Sequence, residues 1–224
     1  LSKLESVYWL ALKSKRFVAG LNLKQEIDKW DKYLEEWRYI EDISANRRDD
    51  EKEIKPLTYY LYSGVFTDFA FAEVGLHVFN QRVVDAFEGE LEKYGRLYPI
   101  ECEGAPWQYY IYHVTTLVKA MDLEAVSKVD PRYQPGEPYN SISTSKFEFI
   151  SENIQDLLVF KDIQQKAGAR YIFFNQRFVD ILKKHKFTGV HKDTFKPIWP
   201  RSEPTILQVG PKVDPGRFKP LNFG

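Results

Sequence analysis

The chain has 224 residues, with 32 basic and 32 acidic side chains, a single Cys, and aromatic rings at 16% of positions. That length supports one sizeable domain with a real core, the lone Cys excludes an intrachain disulfide and fits a reducing cytoplasm, and no apolar run reaches the roughly 18 residues of a membrane span. The zero net charge is unevenly spread: Lys+Arg against Asp+Glu run 11 to 12 over residues 1–53, 7 to 12 over 54–142 and 14 to 8 over 143–224, an asymmetry that either cancels internally or steers a partner.

In chain order, residues 1–17 and 23–42 read as two helices. The second carries Ile27, Trp30, Leu34 and Trp37 at helical spacing, a narrow apolar stripe that needs something to pack on, with a homo-oligomer contact as one use for it. ANRRDDEKE (45–53) is a charged connector and the best boundary. PLTYYLYSG (56–64) predicts a strand ending in a turn, and FAFAEVGLHVF (69–79) a second extended segment. FNQRVVDAFE follows at 79–88, with apolar positions continuing to Leu91. GRLYPIECEG reads as strand or turn, WQYYIYHV as an aromatic strand, and TTLVKAMDLEAVSKV as a short helix. Residues 130–144 form a loop rich in turn residues. KFEFI alternates as a strand does, SENIQDLL opens on a Ser cap, and LVFKDI is strand-like. FNQRFVDILK then repeats the earlier motif at 174–183, before a Pro/Gly-rich tail over 201–224.

The repeat matches at six of the seven positions of FNQR-x-VD across a separation of 95 residues, too long for a solenoid unit. Each copy leaves a β-like run and enters an apolar helical pattern, so Asn80 and Asn175 stand where N-caps belong. Arg82 and Arg177 fall in first helical turns, where a cation opposes the helix dipole, and each has an Asp three residues on for an i,i+3 pair. The spacing therefore points to architecture. The competing reading, two arginines converging on a phosphate, lacks any accompanying Gly-rich loop.

Catalytic and metal-binding patterns are missing: there is no GxSxG, P-loop, GxGxxG or HExxH, and the four His residues have no ligand spacing. Cys102 lies between Glu101 and Glu103, whose charges disfavour a thiolate. The KKHK run at 183–186 suits a helix C-terminus better than nucleic acid. The constellation with most to offer is acidic. Asp85, Glu88 and Glu92 fall on one face of the first motif's predicted helix, Glu101 and Glu103 follow, and Trp107 supplies an aromatic anchor. A solvated helix face is the plainer account of these carboxylates, and nothing suggests a catalytic pair.

Four stretches together resemble the immunity-protein family numbered eleven of bacterial polymorphic toxin systems, formerly a domain of unknown function. They are PLTYYLYSG, FNQRVVDAFEGELEKYGRLYPIECEG, YYIYHVTTLVKAMDLEAVSKV and IFFNQRFVDILKKHKFTGV, within about residues 54–200. The chain departs from the family pattern in having Asn80 and Asn175 where Ser is usual, which preserves capping, and His113 where Asn is expected. The resemblance implies an α+β domain that acts by binding a cognate toxin in the cytoplasm, without cofactor or catalysis.

Together these readings give an α+β protein with a small mixed or antiparallel sheet and packed helices. It is divided into an N-terminal helical extension with connector (1–53), an immunity-like domain (54–200) and an irregular tail (201–224). The expected activity is toxin neutralisation through Asp85, Glu88, Glu92, Glu101, Glu103 and Trp107, with a basic toxin as partner and neither membrane nor nucleic acid. Two alternatives stay open: an adaptor domain of a toxin-delivery or phage-like apparatus, and a phosphate- or nucleic-acid-acting enzyme.

Overall fold

A computed structural model describes residues 6–10, 19–23, 57–71, 77–130, 133, 139, 142, 146–165 and 171–200. The fold is α+β, with two mixed sheets. In one, β1 (Tyr8–Trp9), β10 (Ile172–Phe174), β9 (Val159–Asp162) and β8 (Leu117–Val118) lie side by side; the first three are antiparallel to one another and β8 runs parallel to β9. The other closes into a barrel in the order β2 (Ala19–Leu23), β3 (Leu57–Ser63), β6 (Gly95–Glu103), β7 (Tyr109–Val114), β5 (His77–Asn80) and β4 (Phe69–Phe71), with β2 pairing parallel to β4 to close the ring. Closure leaves the barrel without the unpaired edges of an open sheet.

Alternation along the strands sorts the core into three parts. Val159, Ile172 and Phe174 face the barrel and helices, whereas Phe160 and Phe173 face a second cluster built around Phe147, Phe149 and Trp199. The barrel interior is filled by Tyr59, Val78, Ile100, Tyr109 and Ile111. At Gly95 an added Cβ would lie 2.4 Å from the His113 carbonyl oxygen, so β6 and β7 could not pair there around any larger residue.

Two helices, α1 (Gln81–Ala86) and α4 (Gln176–His185), pack on the barrel side, whereas α2 (Leu123–Val129) and the single turn α3 (Ser151–Ile154) contribute Val126 and Ile154 to the second cluster. α4 buries Phe178, Val179 and Leu182, each stabilising the fold by ~1.5–3 kcal/mol through apolar burial. It is closed by Lys186 in the left-handed region (φ 51°). α1 is shorter, because Glu88 (φ 49°) and Gly89 (φ 80°) turn the chain away and Leu91–Lys93 forms a separate 3-10 turn.

Several expectations are corrected. Residues 8 and 9, expected in the first N-terminal helix, are a strand. Val7, Tyr8 and Leu10 are buried, and backbone bonds of 2.8 Å tie Val7 to Trp199 and Ile198. Leu23, the expected start of the second helix, ends β2. Ile27, Trp30, Leu34 and Trp37 lie outside the described residues, as do the connector and the 201–224 tail. Leu117 and Val118 are strand rather than helix, since Lys161 and Ile163 amides bond the carbonyls of Thr116 and Val118 at 2.9 Å. Phe149 makes only an isolated bridge to Met121, and Ser151 is the first residue of α3 instead of its cap, which is Ile150.

Candidate partner-binding surface

The two FNQR copies form the layer on which the surface sits. Asn80 and Asn175 are both N-caps: each side-chain oxygen accepts an amide three residues on, from Val83 and Phe178, at 3.1 Å. Gln81 and Gln176 each donate to the Asp one turn later, Asp85 and Asp180, at 2.7 Å, and each accepts a Tyr hydroxyl, from Tyr110 and Tyr8 respectively. The arginines do not form the expected i,i+3 pairs; each reaches across to the other unit instead. Arg82 donates to Asp68 Oδ2 at 2.9 Å and to the His185 carbonyl at 2.7 Å, while Arg177 bonds Glu90. Thus α1 and α4 run antiparallel, and the Arg at the start of each reaches the end of the other, with Phe87 and Phe178 in ring contact between them at 4.6 Å. A cation at a helix N-terminus is tolerated here because the negative C-terminal end of α4 receives Arg82. The repeat is architecture.

Asp68, 2% exposed, anchors this arrangement. Its Oδ2 accepts the Thr188 amide at 2.6 Å and hydroxyl at 2.8 Å as well as Arg82, and its Oδ1 accepts Asn80 Nδ2 at 3.0 Å. Burial works to raise the carboxyl, but the Thr188, Asn80 and Arg82 contacts outweigh it and hold the group below the ordinary value. No local pattern in the sequence pointed to Asp68 or Thr188, which lie 120 residues apart.

The acidic constellation divides. Glu101 and Glu103 are exposed near the end of β6, and Trp107, 46% exposed, stands on the β6–β7 hairpin that follows. Asp85 belongs near this end, one turn from Gln81, whose amide bonds the Gln108 carbonyl at 2.8 Å. Val65, 59% exposed, joins them from the β3–β4 loop, where neighbouring Phe66 contacts Tyr109 and the Tyr109 hydroxyl bonds the Thr67 carbonyl at 2.6 Å. Glu88 and Glu92 do not join. Glu88 lies just past the end of α1, and Glu92 sits on the 3-10 turn before β6 begins, so most of the length of that nine-residue strand, about 20–25 Å, separates it from Glu101 and Glu103. The helical spacing that grouped them assumed a helix continuing beyond Ala86.

Burial shifts several titratable groups of the interior. Burial pushes the Cys102 thiol up to about 11, a stronger reason for inertness than its acidic neighbours. Burial, with Lys161 nearby, lowers His77 to about 4 and His113 to about 3. His191 caps the 3-10 turn Lys192–Phe195, its Nδ1 accepting the Asp193 amide at 3.3 Å. Among the described residues no group of three or more His, Cys, Asp or Glu could hold a metal ion, and no helix is long and apolar enough to cross a membrane.

Residues 101–196 match the model of the Immunity protein family (Imm11), the family that the four stretches resemble. The matched span holds Glu101, Glu103, Trp107 and the second FNQR copy. The first copy, with Asp85, Glu88 and Glu92, precedes it. No match was found among curated proteins.

Proposed function

We propose that the chain is a non-catalytic immunity protein that neutralises a cognate bacterial toxin in the cytoplasm by direct binding, through the end of the barrel that carries Trp107. The observation that carries the reading is the placement of this half-exposed Trp beside the exposed carboxylates Glu101 and Glu103 inside the matched span. Tryptophan on a rigid hairpin is the residue type that most often anchors an interface, since it brings a large area at little conformational cost. Val65 widens the apolar contact, and the carboxylates beside it suit a basic toxin whose encounter they accelerate. Nothing in this arrangement requires a cofactor.

The test is binding of the purified chain to the toxin domain encoded by the adjacent reading frame, measured by titration calorimetry together with inhibition of toxicity. Trp107→Ala is expected to weaken binding by at least about tenfold while leaving the thermal midpoint unchanged. Full affinity and full protection by the Trp107→Ala protein would place the interface elsewhere, and absence of binding by the parent chain would remove the reading.

A further inference from the structure

A second charged region adjoins the Trp107 end and has opposite sign. Lys183, Lys184 and Lys186 crowd the end of α4, and Lys192 and Lys196 follow on the 3-10 turn; all five are exposed. The two elements are in contact, since Lys183 lies over the Phe195 ring at 5.9 Å. Among the described residues, only Lys196 of the five forms an ion pair, with Asp193 at 2.8 Å. Arg82 links this region to the hairpin end: it bonds the His185 carbonyl and lies 5.0 Å from the Phe187 ring centroid, while its neighbour Gln81 bonds Gln108. The C-terminal dipole of one helix is satisfied by one or two cations, so it does not account for lysines continuing onto the 3-10 turn. Lys186 also occupies a left-handed conformation that glycine would adopt without strain.

We propose that this face docks an acidic segment of a protein partner. The proposal rests on the reading of the chain as a binding protein and gives that partner two charges: a basic patch for Glu101 and Glu103, and an acidic one for the end of α4. A protein segment is favoured over nucleic acid on three observations. The rings under the lysines are turned inward, Phe187 at 9% exposure and Phe195 packed on the core, so none is offered for base stacking. Asp68 and Asp193 interrupt the positive field. The chain as a whole is neutral, whereas nucleic-acid-binding domains are strongly basic.

The experiment is an NMR titration of the isotope-labelled full chain with a Glu-Ser repeat peptide, its Gln-Ser counterpart and a single-stranded oligonucleotide, at low salt. Saturable shifts of the 183–196 amides with the Glu-Ser peptide alone are expected, weakening at least about fivefold at physiological ionic strength, where screening shortens to about 8 Å. Lys183→Glu, Lys184→Glu and Lys186→Glu together should abolish them. Should that variant unfold, Lys184→Gln with Lys192→Gln, which removes two solvent-facing charges, should weaken binding at least about threefold. Absence of saturable shifts, shifts unchanged in the variants, or tighter binding of the oligonucleotide than of the peptide each overturns the proposal. Peptide binding that survives Trp107→Ala, with toxin binding lost, would separate this face from the hairpin anchor.

Discussion

The first FNQR copy and the second share a cap, a Gln–Asp brace and a bridging Arg, yet they are held by different surroundings. In the first, Asn80 is completely buried and its Nδ2 donates to Asp68, which also receives Arg82; in the second, Asn175 is 7% exposed, and Arg177 reaches Glu90 on an exposed surface. The tyrosine that bonds each Gln comes from β7 for the first copy and from β1, at the far N-terminal end, for the second. The same seven-residue pattern thus fixes the local turn, and burial decides how much each contact contributes.

The largest way to break the comparison is to remove the N-terminal segment, which carries the tyrosine that bonds the Gln of the second copy. A chain beginning at Ile54, which the charged connector suggests should fold alone, would lack β1, the buried Val7, Tyr8 and Leu10, and the β2 strand that closes the barrel. It would also strip Tyr8 from Gln176 while leaving Tyr110 on Gln81. The expected outcome is loss of the cooperative unfolding transition followed by circular dichroism. A sigmoidal melt with native-like near-ultraviolet bands would support the boundary at the connector.

A smaller effect separates the carboxylates that receive the two arginines. Asp68→Ala leaves the Thr188 amide and Asn80 Nδ2 without their buried acceptor and is expected to cost ~3 kcal/mol. Glu90→Ala removes a partner from an exposed Arg and should leave the urea midpoint unchanged. Equal midpoints in the two variants would contradict the contrast between buried and exposed bridges.

Much of this layer is legible in the sequence. An Asn after a β-run and before apolar residues at helical spacing identifies both caps, because capping is local chemistry. The arginine partners are not legible, since Asp68 and His185 meet Arg82 across 14 and 103 positions through packing alone. The N-terminal residues read as helix because VYWLALK favours one locally, and pairing with β10 overrides that preference at Tyr8 and Trp9. The acidic set fails as a unit because its spacing runs through Glu88 and Gly89, where left-handed backbone ends α1.

Acid sensitivity offers a sharper comparison, because His77 occupies the position equivalent to Ile172 in the second copy. In the folded protein His77 is lowered to about 4 by burial and by Lys161, below its ordinary 6.5. The unfolded chain therefore takes up the proton first as pH falls. The neutral histidine's contribution is fully present above about 6.5 and is lost toward about 4, at ~1.4 kcal/mol per pH unit. His113, lowered to about 3, acts in the same sense. His77→Ile, copying the second unit, should reduce the slope of stability against pH between about 6.5 and 4.5 from roughly two protons to one. An unchanged slope in urea titrations would show that His77 is not protected from protonation in the native state.

The smallest expected difference lies in the caps themselves. Asn175→Ala removes the capping bond to the Phe178 amide and should cost ~1 kcal/mol. Asn80→Ala removes the equivalent bond to Val83 and also the donor to Asp68 Oδ1, within a site with no exposure, so ~2 kcal/mol is expected. Asn80→Asp separates these contributions: it keeps a capping acceptor for the α1 amides but places a second carboxylate against Asp68, which like-charge repulsion penalises. The corresponding Asn175→Asp change keeps the acceptor for the Phe178 amide and should be close to neutral. If both Asp variants retain parental stability, the extra contribution of Asn80 does not come from Asp68. If both Ala variants lose the same amount, burial makes no difference between two copies of one cap.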